Sequence, residues 1–230
     1  REQVALLINA EPEEIIFTSC GTESDNTALM SAILSRPDKR HIITTRVEHP
    51  AVLNFCKAMA RQGYRVTFLP VDKSGGLNLE ELRAALTDDT AAVSIMYANN
   101  ESGVIFPIHD IAEIVKSKGV PFHTDAVQVS GKIPVDVQKL PCDLMSVSGH
   151  KMHAAKGVAA LYIKRGTRFS PYIIGGHQEK GRRAGTENVA SIVGFGIACD
   201  LAKKHLQAES TKVKELRDKL EQGLLNTCPD

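Results

Sequence analysis

No apolar run in this chain approaches the length of a membrane-spanning helix. Its net charge of +1 gives no basic field for nucleic acid and no cationic surface for a membrane. The five cysteines (Cys20, Cys56, Cys142, Cys199, Cys228) are scattered, with no C-x-x-C pair and no zinc-ligand spacing, so no metal site is expected. Reduced thiols in a cytoplasmic protein are the simplest reading. Neither G-x-x-x-x-G-K-[ST] nor a G-x-G-x-x-G turn after a strand is present, which makes nucleotide-dependent and nicotinamide-dependent chemistry poor fits. What remains is an ordinary soluble globular composition, 43% apolar and 24% charged, over 230 residues.

Within that composition, apolar runs of strand length alternate with helical patterns. Strands are expected at Glu14–Ser19, His41–Thr45, Arg65–Val71, Ala91–Ala98, Pro121–Asp125, Leu144–Ser148 and Val158–Ile163. Helices are expected at Glu23–Leu34, Pro50–Gln62, Leu79–Leu86 and Ile108–Lys118, and again after Gly194 as far as Leu225. Arg1–Ala10 reads as the tail of a further helix. Strand–helix alternation implies an α/β fold, a mostly parallel seven-stranded sheet with helices on both faces. The last two strand runs have no helix between them, so one antiparallel strand belongs there.

Open sheets of this kind bind ligands beyond the carboxyl ends of their strands. The polar clusters of this sequence fall at those ends: Thr18–Asn26, Val47–Pro50, Asn99–Glu101, Asp125–Gln128 and Ser148–Lys151. Lys151 follows the apolar run Asp143–Val147, where desolvation at a strand mouth can free its amine to hold an aldehyde cofactor. A solvated surface lysine is the plainer alternative. Asp125, on another tip, is the carboxylate that a pyridine-type ring nitrogen needs. Ser19–Ser24 joins a strand to a helix with small and hydroxyl residues, suited either to cradling a phosphate or to an ordinary helix cap.

The stretches Phe17–Ser24, Glu48–Val52, Ala98–Gly103, His123–Gln128, Ser148–Lys151, Gly175–Glu179 and Arg183–Asn188 together resemble the pyridoxal-phosphate-dependent cysteine desulfurases of the NifS/IscS family, with wording closest to the nitrogenase-associated branch. The resemblance runs from Glu14 to about Leu206. It implies the large domain of the aspartate-aminotransferase fold type (fold type I) over residues 1–206, with 207–230 a helical tail leading toward a small C-terminal domain. It also implies the cofactor pyridoxal 5′-phosphate, with Lys151 as the lysine that holds it and moves the substrate α-proton. Asp125 then pairs with the ring nitrogen, Gln128 and Asn100 with the ring hydroxyl region, and His49 stacks on the ring and assists proton transfer. Without the resemblance, His49 reads equally as a surface histidine at a helix start. The phosphate falls to Gly21, Thr22, Ser148, His150 and Thr186, the last across a homodimer with shared sites. Arg182 and Arg183, in the same glycine-rich stretch, read as an exposed loop whose arginines are either ordered by a partner or simply solvated.

The implied reaction converts L-cysteine to L-alanine and passes sulfur, through an enzyme persulfide, to an acceptor for iron–sulfur cluster assembly. Selenocysteine lyase or an aminotransferase are the enzymatic alternatives, and a cofactor-binding scaffold without turnover is the non-enzymatic one. The ends read as cut, and the family's persulfide cysteine and substrate-binding arginine are expected beyond Asp230. Cys20 reads as a small packed residue of the phosphate turn.

Overall fold

Side chains on successive strand residues point to opposite faces, and in this chain both faces are apolar, so helices must cover each. A computed structural model describes residues 1–228; positions 229 and 230 of the expected tail lie outside the described residues. The strands are β1 (Ile15–Thr18), β2 (His41–Thr45), β3 (Arg65–Leu69), β4 (Thr90–Ser94), β5 (Phe122–Asp125), β6 (Leu144–Ser148) and β7 (Ala159–Ile163). They form one seven-stranded sheet in the order β1-β7-β6-β5-β4-β2-β3. β2, β3, β4, β5 and β6 run parallel, whereas β7 is antiparallel to both β6 and β1. The expected α/β architecture and its antiparallel strand are therefore both present.

The helices are α1 (Glu2–Leu7), α2 (Gly21–Leu34), α3 (Pro50–Arg61), α4 (Leu79–Ala85), α5 (Ile108–Ser117) and α6 (Val189–Thr227). One face of the sheet presents Ile42, Ala92, Ile16, Leu144, Leu161 and Ile163 to α2 and α3. The other presents Ile43, Val93, Phe122, Met145 and Tyr162 to a larger core that includes Val4 of α1, Leu82 of α4 and Ile111 of α5. Several expected boundaries differ by a residue or more, and two of the differences have a clear local cause. The Ala91–Ala98 run is a regular strand over Thr90–Ser94 and then continues along β5 through the Ile95 and Tyr97 N–H groups, until Asn99 turns the chain, its side-chain oxygen accepting the N–H groups of Glu101 (3.0 Å) and Ser102 (2.8 Å). The last helix begins at Val189 rather than after Gly194, because Asn188 Oδ1 accepts the Ser191 N–H at 3.2 Å and caps it.

α6 packs against α1 through its first turns, where Lys203 Nζ donates to the Leu6 carbonyl at 2.7 Å. Position 206 lies inside this helix. Val189, Val193, Ile197 and Leu201 leave an apolar ridge exposed along it. No helix among the described residues is long and apolar enough to cross a membrane.

Candidate active site

β1 and the parallel strands end on the same edge of the sheet, so Thr18–Gly21, Glu48–His49, Asn99–Asn100, Asp125–Gln128 and Ser148–Lys151 come together there. α2 starts at Gly21 directly after the β1 tip, and its cap residue Cys20 makes no side-chain capping bond, leaving the first-turn N–H groups of Gly21 and Thr22 free of one. A Cβ on Gly21 would stand 3.2 Å from Val127 Cγ2 and 3.6 Å from Ser148 Cβ, so glycine lets this helix end approach the β5 and β6 tips. Ser148 Oγ in turn bonds His150 Nδ1 at 2.8 Å. Burial, then the charges of Lys151, Lys156, His49 and Lys132, push the His150 imidazole below its usual value. A helix N-terminus without a side-chain cap, beside a histidine acted on by several basic groups, has the donors that a phosphate would need.

Asp125 lies on the buried side of the same edge, with Oδ1 accepting the Val127 N–H at 2.9 Å. Burial raises its pKa against the pull of that N–H, of His49 and of Lys151, so these two basic groups act directly on the Asp125 carboxyl. His49 caps α3, Nδ1 accepting the Ala51 N–H at 3.1 Å, which leaves Nε2 and the ring face for other partners. Gln128 is half-buried, and its Oε1 accepts from Lys132 Nζ at 3.4 Å. Asn100 is exposed on the turn after β4. The carboxylate, the histidine, the lysine and the anion cradle match the donors that pyridoxal phosphate requires.

Three expectations are corrected. Lys151 is exposed in the short 3-10 turn Gly149–Met152 rather than desolvated at a strand mouth, because that turn carries it out past the β6 end. Cys20 is exposed rather than packed, since the capping position turns it outward from α2. Arg183 is neither solvated nor on a free loop: Nε and Nη2 hold Glu23 Oε1 and Oε2 at 2.8 and 3.1 Å. Thr186 is exposed and lines a separate cleft of about 210 Å³ with Thr18, Ser19, Arg183 and Glu187.

Behind the tips lies a polar layer that motif reading did not find. His123, two residues before Asp125 on β5, bonds Ser94 Oγ on β4 and Ser146 Oγ on β6, both at 2.9 Å. Burial drives its imidazole down to about 3, so it is neutral. Asp25 on α2 approaches His123 Nε2 at 3.6 Å, and its carboxyl is raised by burial and by Asp125. Polar residues inside strands that are otherwise apolar were the available signal.

The aminotransferase class-V family profile matches residues 1–228. The chain belongs to that family. It is 57% identical over its whole length to a cysteine desulfurase of Nostoc sp. (strain PCC 7120) and 54% identical to cysteine desulfurase NifS of Azotobacter vinelandii. It spans 58% and 57% of these two relatives, a little over half their length. Among solved structures, a NifS-like protein superposes with a TM-score of 0.94 at 45% identity, over 98% of this chain and 62% of that one. A structure described as SspA in complex with cysteine superposes with a TM-score of 0.83 at 38% identity, over 86% of this chain and 58% of that one. The fold is accordingly fold type I, the aspartate-aminotransferase type.

Proposed function

We propose that this chain is the cofactor-binding part, residues 1–206 with the tail 207–230, of a pyridoxal-phosphate-dependent cysteine desulfurase of the NifS branch. The observation that carries the reading is the joint action of Lys151 and His49 on Asp125, beside a helix end left free for a phosphate. When bound, the cofactor supplies an electron sink for charge developing at the substrate α-carbon.

The chain's own residues divide the remaining work. Gly21 and Thr22 N–H, Ser148 Oγ and His150 hold the phosphate, with Thr186 reaching the phosphate of a second copy in a homodimer. Asp125 would accept the ring N–H and keep that nitrogen protonated. Gln128 and Asn100 would hold the ring hydroxyl, and His49 would contact the ring with Nε2 free to pass a proton. Lys151 Nζ would hold the aldehyde group and would move the substrate α-proton as base and acid. The sulfur leaves L-cysteine for a protein thiolate, L-alanine is released, and an acceptor protein for iron–sulfur cluster assembly takes the sulfur onward in the cytoplasm. Identity to NifS supports a role in nitrogen fixation.

Cys56, Cys142 and Cys199 do not fit that thiolate. All three are buried, and burial drives each thiol up to about 12. Sulfide and alanine released in equal amounts from L-cysteine by the cofactor-loaded full-length protein test the proposal. Transfer of the amino group to a keto acid, without sulfide, would make it an aminotransferase instead.

A further inference from the structure

The residue before His49 is a glutamate that is only 3% exposed. Buried carboxylates are ordinarily paired with cations, yet the groups that bond Glu48 are neutral. Its Oε1 accepts both the Thr45 hydroxyl at 2.8 Å and the Met96 N–H at 3.0 Å. Its Oε2 is buried with no hydrogen-bond partner among the described residues. That asymmetry suits a neutral acid, with the acceptor work on one oxygen and the proton on the other.

The bonds of Oε1 also place Glu48 mechanically. Thr45 ends β2, and Met96 lies on the stretch that continues β4 along β5. Its neighbours on that stretch bond to β5: Ile95 N–H donates to the His123 carbonyl at 3.2 Å and Tyr97 N–H to the Asp125 carbonyl at 2.9 Å. One side chain therefore ties the segment that carries His49 to the β4 stretch, whose other edge is bonded to the backbone of Asp125. The Val47 carbonyl, one residue earlier, accepts from Asn99 Nδ2 at 2.9 Å and ties the same two tips again.

The acidic groups around Glu48 favour its neutral form. Asp25 faces it from α2, Asp125 from β5 and Cys56 from α3, and each would be anionic if ionised. His49 adjoins it on its own segment, and Lys151 acts on Asp125 from the β6 side. Burial, aided by Asp125, lifts the Glu48 carboxyl to about 8.

We propose that Glu48 is a positioning residue of the site, a neutral carboxylic acid that pins the β2 and β4 tips together behind His49 and leaves the carboxylate charge of the pocket on Asp125. The proposal rests on the reading of His49 and Asp125 as cofactor contacts. Above its titration, Glu48 sets a second negative charge beside Asp125, so the site carries an alkaline limit that belongs to Glu48.

The test uses the full-length cofactor-loaded protein. Glu48→Gln keeps an oxygen acceptor for Thr45 and Met96 and cannot ionise. Its kcat near neutral pH should stay within about threefold of wild type, roughly the worth of one altered hydrogen bond. The alkaline step in kcat and in the cofactor absorbance, expected near 8, should disappear. Glu48→Leu removes the acceptor, and kcat should fall by more than about tenfold with KM little changed, the signature of lost positioning. Should Glu48→Leu fail to fold, isotope-edited infrared spectra of the cofactor-free full-length protein decide. A neutral-acid carbonyl stretch at neutral pH that vanishes in Glu48→Gln supports the proposal. An ionised Glu48 at neutral pH, an unchanged alkaline step in Glu48→Gln, or equal damage from the Gln and Leu variants overturns it. If Lys151 takes up no cofactor, the functional reading itself fails, and the infrared signal still judges the state of Glu48.

Discussion

At the residue scale, the site depends on where each charge is allowed to exist. Asp125 is buried, but His49 and Lys151 face it, so its charge has partners that Asp25 and Glu48 lack. Asp125→Asn removes the carboxylate while keeping its shape. The full-length variant should still bind pyridoxal phosphate yet lose at least about a hundredfold in kcat, as expected when a group central to proton chemistry is removed. Turnover at the wild-type rate would make Asp125 a structural residue.

Two of the buried titrating groups behind it, Glu48 and His123, give pH dependences of opposite sign. Unfolded, Glu48 ionises near 4.5, and folded near 8, so its contribution to stability is full below 4.5 and is lost as pH rises to about 8. His123 ionises near 6.5 unfolded and near 3 folded, so its contribution is full above 6.5 and is lost as pH falls toward 3. Melting curves across this range should show Glu48→Gln flattening the alkaline decline and leaving the acid one. An unchanged alkaline slope in that variant would mean that Glu48 is not the group responsible.

At the scale of elements, the strands and most helices were legible because apolar period and length differ between them. The site tips were legible because polar clusters end the apolar runs at Ser19, His49, Asp125 and Lys151. The layer behind them was not. Asp25 belongs to α2, Glu48 follows β2 and His123 lies in β5, and only the packing of α2 across the sheet shows that they meet. The pairing of Arg183 with Glu23 was hidden for the same reason, since 160 residues separate the two. This pair fastens the segment before α6 to the first turn of α2, and against the upward push of burial Arg183 and Ser19 hold the Glu23 carboxyl below its usual range. Arg183→Met, which strands a mostly buried carboxylate, should cost about 2 kcal/mol in denaturant unfolding, and the further change Glu23→Gln should recover much of it. Additive losses in the double variant would show that the two side chains do not act as a pair.

At the scale of the whole molecule, a single sheet edge gathers the groups proposed to hold the cofactor, while α6 packs on α1 and on the turn Gly149–Met152 with its apolar ridge outward. Three of the five cysteines are buried and so are not placed for persulfide chemistry, whereas Cys20 is exposed at the N-cap of α2 and Cys228 at the end of α6. In the full-length protein, replacing any one of them by alanine should leave sulfide release within about threefold of wild type, the range of a moderate packing change. Loss of turnover in a folded variant of one of these positions would name the nucleophile.

The central claim is that the strand tips build a pyridoxal-phosphate site around Lys151. Borohydride reduction of the cofactor-loaded full-length protein, followed by proteolysis and mass mapping, tests it most directly. A single pyridoxyl-modified peptide with the label on Lys151 is expected, with loss of the yellow chromophore in Lys151→Ala but not in Lys156→Ala. A label on Lys132, Lys156 or any other lysine, with Lys151 unmodified, would contradict it.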